Sequence, residues 1–250
     1  MTAKSLIGIL PASAVTHVPA LLVDKKPHVV SHGSLAAVTL PAVGQSRLST
    51  AKRSLTARLS QLQIGLETLT REGPVLGAAL DQHFDTDQDL QRFLEGNEVA
   101  LNDAMAAYGA CWQFQIDISW NTEAVLRNLV GRGAIQATGG TDKDLASAMQ
   151  TALAMERVRL ALAINAILQP VATELATLPL ASEDEVARYL VLIKRDEEAT
   201  LDAAVEAVDA LAPDLFQIKY RGPLPATSFA CVARNFTTSD DLKEAARIIG

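Results

Sequence analysis

The chain has four histidines, His17, His28, His32 and His83, and two cysteines, Cys111 and Cys231. His28 and His32 have the i, i+4 spacing that chelates a metal on a helix. Val29-Val30 and Gly33 favour a strand instead, where that spacing separates the rings by about 13 Å, too far to share one ion. They read as edge or surface histidines. The cysteines lie too far apart in sequence for a zinc-ligand pattern and too few for a disulfide framework, so they read as small core residues kept reduced. Asp85-x-Asp87-x-Asp89 resembles the opening of a calcium loop. That loop needs Gly at its sixth position and Glu at its twelfth, and Leu90 and Gly96 stand there. The same residues suit a helix start, with Thr86 and Asp89 at capping-box spacing. Gly131-x-Gly133 lacks the third glycine of a dinucleotide fingerprint, and Gly139-Gly140-Thr141-Asp142-Lys143 lacks the core of a phosphate loop. Glu183-Asp184-Glu185 reads as a solvated triplet. No residue set for catalysis, cofactor or metal is expected, which points to a binding or assembly protein.

The elements around these residues follow from their periodicity. Residues 5–10 read as a strand, 28–31 and 35–40 as a hairpin around His32-Gly33-Ser34. Leu48, Leu55, Leu62 and Leu69, with Leu59 and Leu66 beside them, form one helical stripe that ends at Glu72-Gly73-Pro74. A short strand over 74–79 and a helix from 85 to 108 follow. In 111–120, Trp112, Phe114, Ile116 and Ile118 alternate with Gln113, Gln115, Asp117 and Ser119, predicting a strand with one buried and one wet face. The glycines of 131–141 suggest a flexible joint. A helical stretch over 142–175, kinked at Pro170, comes next. Strand 186–193, helix 196–211, strand 215–220, a rigid turn at Arg221-Gly222-Pro223-Leu224-Pro225, strand 229–234 and helix 240–249 complete an α+β order. The expected domains are 1–130, a joint and long helix over 131–177, and 178–250.

The chain is 250 residues with 49% hydrophobic and 20% charged residues, a globular composition. Its net charge of −7 opposes general binding to phosphate backbones. The apolar run 6–10 is shorter than the ~7–15 residues of a signal peptide. Residues 5–23 carry no charge but are broken by Gly8, Pro11 and Pro19, a poor membrane span. The expectation is a soluble, cytoplasmic protein with neither nucleic acid nor membrane as partner.

The C-terminal half carries a resemblance. Leu178-Pro-Leu-Ala-Ser-Glu-Asp-Glu-Val186 leads into the strand ending at Ile193. Lys194-Arg195-Asp196, an Ala-rich helix, Phe216-Gln-Ile-Lys-Tyr220, Arg221-Gly-Pro-Leu-Pro225 and Ser228-Phe229 follow, and Ala246-Arg-Ile-Ile-Gly250 comes last. Gly8-Ile-Leu-Pro-Ala12, Gly33-Ser-Leu-Ala-Ala-Val38 and Gly73-Pro-Val-Leu76 agree with it nearer the start. This order is similar to that of the GvpL/GvpF family of gas vesicle proteins. Two departures stand out: after Leu76 the chain reads Gly77-Ala-Ala-Leu-Asp-Gln-His-Phe84 where the family usually continues with Pro, a basic residue and Phe-Gly-Thr, and Ala226-Thr227 stand where it often has Pro-Tyr.

The resemblance implies an α+β fold of two domains, the N-terminal one modified ferredoxin-like and the C-terminal one an α+β sandwich, joined by long helices. It implies a non-enzymatic gas vesicle component, cytoplasmic and vesicle-associated, that binds the hydrophobic GvpA-type shell protein and other accessory proteins. Its role would be nucleation or assembly, including keeping the shell protein from aggregating. The alternatives are a permanent structural component of the inner vesicle surface and a small α+β enzyme with an unrecognised site. Arg221, Pro223, Leu224 and Pro225 are the candidate partner-binding residues, a rigid loop presenting Leu224. The plainer reading of the same residues is that the prolines fix a turn and Phe229 fills the core.

Overall fold

The computed structural model describes residues 4–18, 22, 26–41, 51–79, 82–135, 140–232. It is a mixed α+β protein whose described residues form two sheets and six α-helices, in two compact units. Unit 1 is Met1–Gln113 with Pro223–Gly250, and unit 2 is Phe114–Gly222.

In unit 1, β1 (Lys4–Pro11) is the central strand. It pairs antiparallel with β3 (Leu35–Pro41), which pairs with β2 (His28–His32) through the expected hairpin. Its other edge takes β4 (Leu76–Ala78) and β5 (His83–Phe84). Beyond β4 lies β10 (Cys231–Val232), parallel to it, with Cys231 opposite Gly77. Leu6, Ile9, Ala36, Ala37 and Val38 are fully buried, as near-continuous apolar strands covered on both faces require. The leucine stripe forms α1 (Ala51–Glu72), whose Leu62, Leu66 and Leu69 pack with Ile7, Leu10, Val38 and Leu40. The expected helix over 85–108 is two helices, α2 (Asp87–Gly96) and α3 (Glu98–Tyr108). Gly96-Asn97 breaks the run, and the Asn97 side-chain amide donates to Phe93 O at 2.7 Å, satisfying a carbonyl at the break. Thr86 caps α2 as expected, its hydroxyl oxygen accepting from Asp89 N at 3.1 Å.

Unit 2 holds the second sheet, in the order β7–β8–β6–β9: β7 (Glu174–Thr177), β8 (Glu185–Lys194), β6 (Cys111–Trp120) and β9 (Phe216–Leu224). Between β6 and β7 come α4 (Thr122–Gly131) and α5 (Asp142–Leu168); α6 (Glu198–Asp209) lies between β8 and β9. Strand, helix, strand, strand, helix, strand with the first strand central is the split β-α-β order of ferredoxin-like sheets. That order was expected in residues 1–130 and is found in unit 2 instead, because a hairpin follows β1 where a crossover helix would have to stand.

Other expectations change as well. The boundaries at 131 and 178 are not those of the compact units, since β10 returns to pair with β4 in unit 1. The helix of 142–175 stops at Leu168, two residues before Pro170, and Leu175 pairs in β7 with Val191. The turn at 221–225 is largely strand. Gly222 and Pro223 continue β9, and Pro223 is tolerated because β9 is the last strand of its sheet's path. Helix 240–249, residues 233–234 of the expected last strand and residues 136–139 of the glycine joint lie outside the described residues.

Candidate functional site

The candidate site is an apolar cleft of about 310 Å³ within unit 1. One wall is α1, which presents Leu59, Leu62 and Leu66 at i, i+3 and i+7, one helical face. The sheet supplies Leu6 and Ile7 from β1 and Ala78 from β4, with Ala79 and Cys231 beside them. The remaining side is the stretch after β9, with Leu224, Pro225 and Thr227. Polar groups are few. Gln63 Nε2 donates to Glu67 Oε1 at 2.9 Å along the α1 rim.

Gln113, buried at the cleft, clamps the 225–230 loop. Its Nε2 donates to Ser228 Oγ at 3.0 Å and its Oε1 accepts from Ser228 N at 3.0 Å. A buried amide is thereby satisfied at both ends, and the loop is held in one conformation. The Thr227 N–H donates to Pro225 O at 2.8 Å, tightening the same turn. Gly77 permits the close packing here: a Cβ on it would lie 2.5 Å from Thr227 Cγ2 and 2.8 Å from Leu66 Cδ2.

Leu224 and Pro225 therefore share this cleft, half-buried, whereas Arg221 belongs to unit 2 and does not line it. Pro223 is half-buried within β9. The Arg221 guanidinium donates to Asp117 Oδ2 at 2.7 Å, and Arg188 Nε donates to Asp117 Oδ1 at 3.1 Å from the other flanking strand. Gln115 Nε2 adds bonds of 2.9 and 3.0 Å to the two carboxylate oxygens. Burial pushes the Asp117 carboxyl up, but these donors outweigh it and hold it below the usual carboxylate range. The polar face of β6 is thus not wet as expected: Gln113 and Asp117 are 5% and 7% exposed. Nothing in the 111–120 alternation marks Asp117, since its two arginine partners come from strands more than seventy residues away.

His28 and His32 each face a carboxylate. His28 Nε2 lies 2.9 Å from Asp87 Oδ1, an oxygen also held by Lys4, and His32 Nε2 lies 3.7 Å from Glu98 Oε2. Among the described residues no group of three or more His, Cys, Asp or Glu side chains is placed to hold a metal ion, and no helix is long and apolar enough to cross a membrane. A second apolar feature lies on α5. Met155, Val158 and Leu162, at i, i+3 and i+7, are 70%, 60% and 67% exposed.

The two-sheet fold is shared with solved proteins. The crystal structure of the gas vesicle protein GvpF from Anabaena sp. PCC7120 superposes with a TM-score of 0.71, at 14% identity, over 94% of this chain and 99% of that one. GvpF from Microcystis aeruginosa gives a TM-score of 0.64 at 15% identity, over 90% and 98%. In sequence, the chain is 24% identical over 182 residues to gas vesicle protein L1 of Halobacterium salinarum, which covers 62% of this chain and 64% of that relative. The family model described as "Gas vesicle synthesis protein GvpL/GvpF" matches residues 6–231, nearly the whole chain including every strand of both sheets but the last residue of β10 and the first two of β1. The chain therefore belongs to the GvpL/GvpF family of gas vesicle proteins.

Proposed function

We propose that this protein binds the hydrophobic, GvpA-type shell protein of gas vesicles and assists nucleation or assembly by covering apolar shell surface that would otherwise aggregate. The observation that carries the proposal is the cleft of unit 1, where leucines of α1 and Leu224 face one another around few polar groups. A shell subunit with an exposed apolar face aggregates until that face is covered. An amphipathic segment laid against the Leu59–Leu62–Leu66 face is the helix-in-groove mode of recognition. Leu224 and Pro225 make the contact, Pro223 stiffens the strand that leads to them, and Arg221 fixes that strand further back on Asp117. Rigid presentation lowers the ordering cost of binding. The net charge of −7 supports a protein partner over a nucleic acid. Other gas vesicle accessory proteins are further partners, and the protein works in the cytoplasm at the growing vesicle.

The test is co-expression with shell protein and its capture on tagged chain. Leu224→Asp places a charge in an apolar contact and should reduce capture by at least tenfold, about 1.4 kcal/mol. The proposal fails if Leu224→Asp, folded by circular dichroism, captures shell protein as well as the parent does. It fails equally if shell protein precipitates to the same extent with and without this chain.

The exposed Met155, Val158 and Leu162 stripe of α5 favours a second reading, a permanent component of the inner vesicle surface using an additional apolar face. Retention on purified vesicles through a urea wash supports that reading, and release supports an assembly factor.

A further inference from the structure

We infer that the unit 1 cleft selects a basic amphipathic helix of the shell protein, and that Glu67 is the residue that reads its positive charge. This deepens, and rests on, the reading of the cleft as the contact site.

The cleft is chemically one-sided. Of the described residues that line it, Glu67 alone is charged. Gln113 uses both ends of its amide on Ser228 and has little left for a ligand. Gln63, one helical turn from Glu67 on α1, donates from Nε2 to Glu67 Oε1 at 2.9 Å. That bond orients the carboxylate through one oxygen and leaves Oε2 for a further donor. Glu67 is half-buried and has no ion-pair partner among the described residues.

Its place on the helix fits a rim role. Leu59, Leu62 and Leu66 form one face, and Gln63 and Glu67 directly follow two of those leucines, so they border the face along one side. A helix seated on the leucines meets an apolar wall with its own apolar face and a carboxylate at its margin. The cationic head of a flanking Lys or Arg reaches that margin while its methylene stem stays on the leucines. The low-dielectric wall beside the pair strengthens the attraction beyond that of a fully exposed one.

Selection works in both directions. An acidic flank meets a like charge beside an apolar wall, and the net charge of −7 adds repulsion at longer range. A wholly apolar segment covers the leucines but leaves Glu67 without a partner. Leucines, whose attraction is non-directional, do not make that distinction by themselves.

The test uses the full chain and three fluorescein-labelled helical peptides. They share one leucine face at i, i+3 and i+7 and carry Lys, Gln or Glu on both margins of it, so either orientation brings the same group to Glu67. Anisotropy titration should give the Lys peptide a Kd about fivefold below that of the Gln peptide, with the Glu peptide weaker still. Glu67→Gln should bring the Lys and Gln peptides within about twofold of each other, and Glu67→Lys should reverse the order. Glu95→Gln, exposed on α2, removes the same unit of net charge and should leave the preference as in the parent. Leu224→Asp should weaken all three peptides, which places them in the cleft. Circular dichroism checks the fold, and the near-isosteric Glu67→Gln carries the test if Glu67→Lys does not fold. Equal affinity of the three peptides for the parent overturns the inference, as does a Lys preference that survives Glu67→Gln or that Glu95→Gln abolishes. If the peptides bind the parent alike while Leu224→Asp still lowers shell-protein capture, the contact reading stands and the charge selection alone falls.

Discussion

Asp117→Asn is the most demanding perturbation of this fold. The Asp117 side chain is 8% exposed and accepts hydrogen bonds from Arg188, Arg221 and Gln115, joining three strands of the unit 2 sheet. An asparagine keeps one acceptor and turns an amide N–H₂ toward a guanidinium, donor against donor. Removing one partner of a fully buried pair costs about 3–5 kcal/mol. Here Arg188 and Arg221 are 22% and 59% exposed and water rescues part of the loss, so about 2 kcal/mol is expected at pH 7. Arg221→Ala should cost under about 1 kcal/mol and Arg188→Ala more, following their exposure.

The pH dependence has a definite sign. The Asp117 carboxyl is lowered in the folded protein, so its contribution is complete above the unfolded value near 3.9 and is lost as pH falls through the folded value. The gap between parent and Asp117→Asn should be full at pH 7 and shrink below pH ~4. Urea denaturation at both pH values, with hydrogen exchange of β6, β8 and β9 amides to isolate unit 2, measures it. Equal stability of the two proteins at pH 7, or an identical gap at pH 7 and pH 3, refutes the reasoning.

Three further outcomes follow from local geometry. Gly222 has φ +157° and a Cβ on it would lie 2.3 Å from the Phe114 ring, so Gly222→Ala should destabilise unit 2 by about 1–3 kcal/mol, read as a fall in melting temperature. Tyr220 is pushed above the ordinary tyrosine range by burial and by donating to Asp202 Oδ1 at 2.9 Å. Its folded value being raised, unfolding is favoured as pH climbs past the unfolded value near 10, and Tyr220→Phe should flatten that alkaline loss in denaturation curves. Thr141 caps α5 in a reciprocal box with Asp144, so Thr141→Ala should cost about 1 kcal/mol and speed exchange in the first turn of α5 while leaving unit 1 unchanged.

The sequence was most informative where local pattern and tertiary burial agree. The β2–β3 hairpin, the leucine stripe of α1 and the Thr86 cap of α2 are legible because turn, period and cap each act within a few residues. The polar face of β6 is not, because whether Asp117 meets water depends on which strands flank β6, and that is a matter of sheet order. Pro170 and Gly222-Pro223 are mirror cases. The first was expected to kink a helix and stands just past its end; the second was expected to make a turn and rides in a strand at the end of its sheet's path, where sheets accommodate proline. Of the four candidate contact residues, Leu224 and Pro225 fall in the cleft, but the opposing wall was legible only as a core stripe. A helix that lines a groove and a helix that fills a core carry the same periodicity.

The parallel pairing of β10 with β4 has a consequence for synthesis. A ribosome delivers residues 114–222 before the strand that finishes the first sheet, so the interior unit can set while its predecessor still waits for Cys231 and Val232. Until then β4 shows a bare ladder of amides and carbonyls, the kind of template on which neighbouring nascent chains stick. That interval is the protein's most exposed moment, and premature termination after residue 222 would make it permanent.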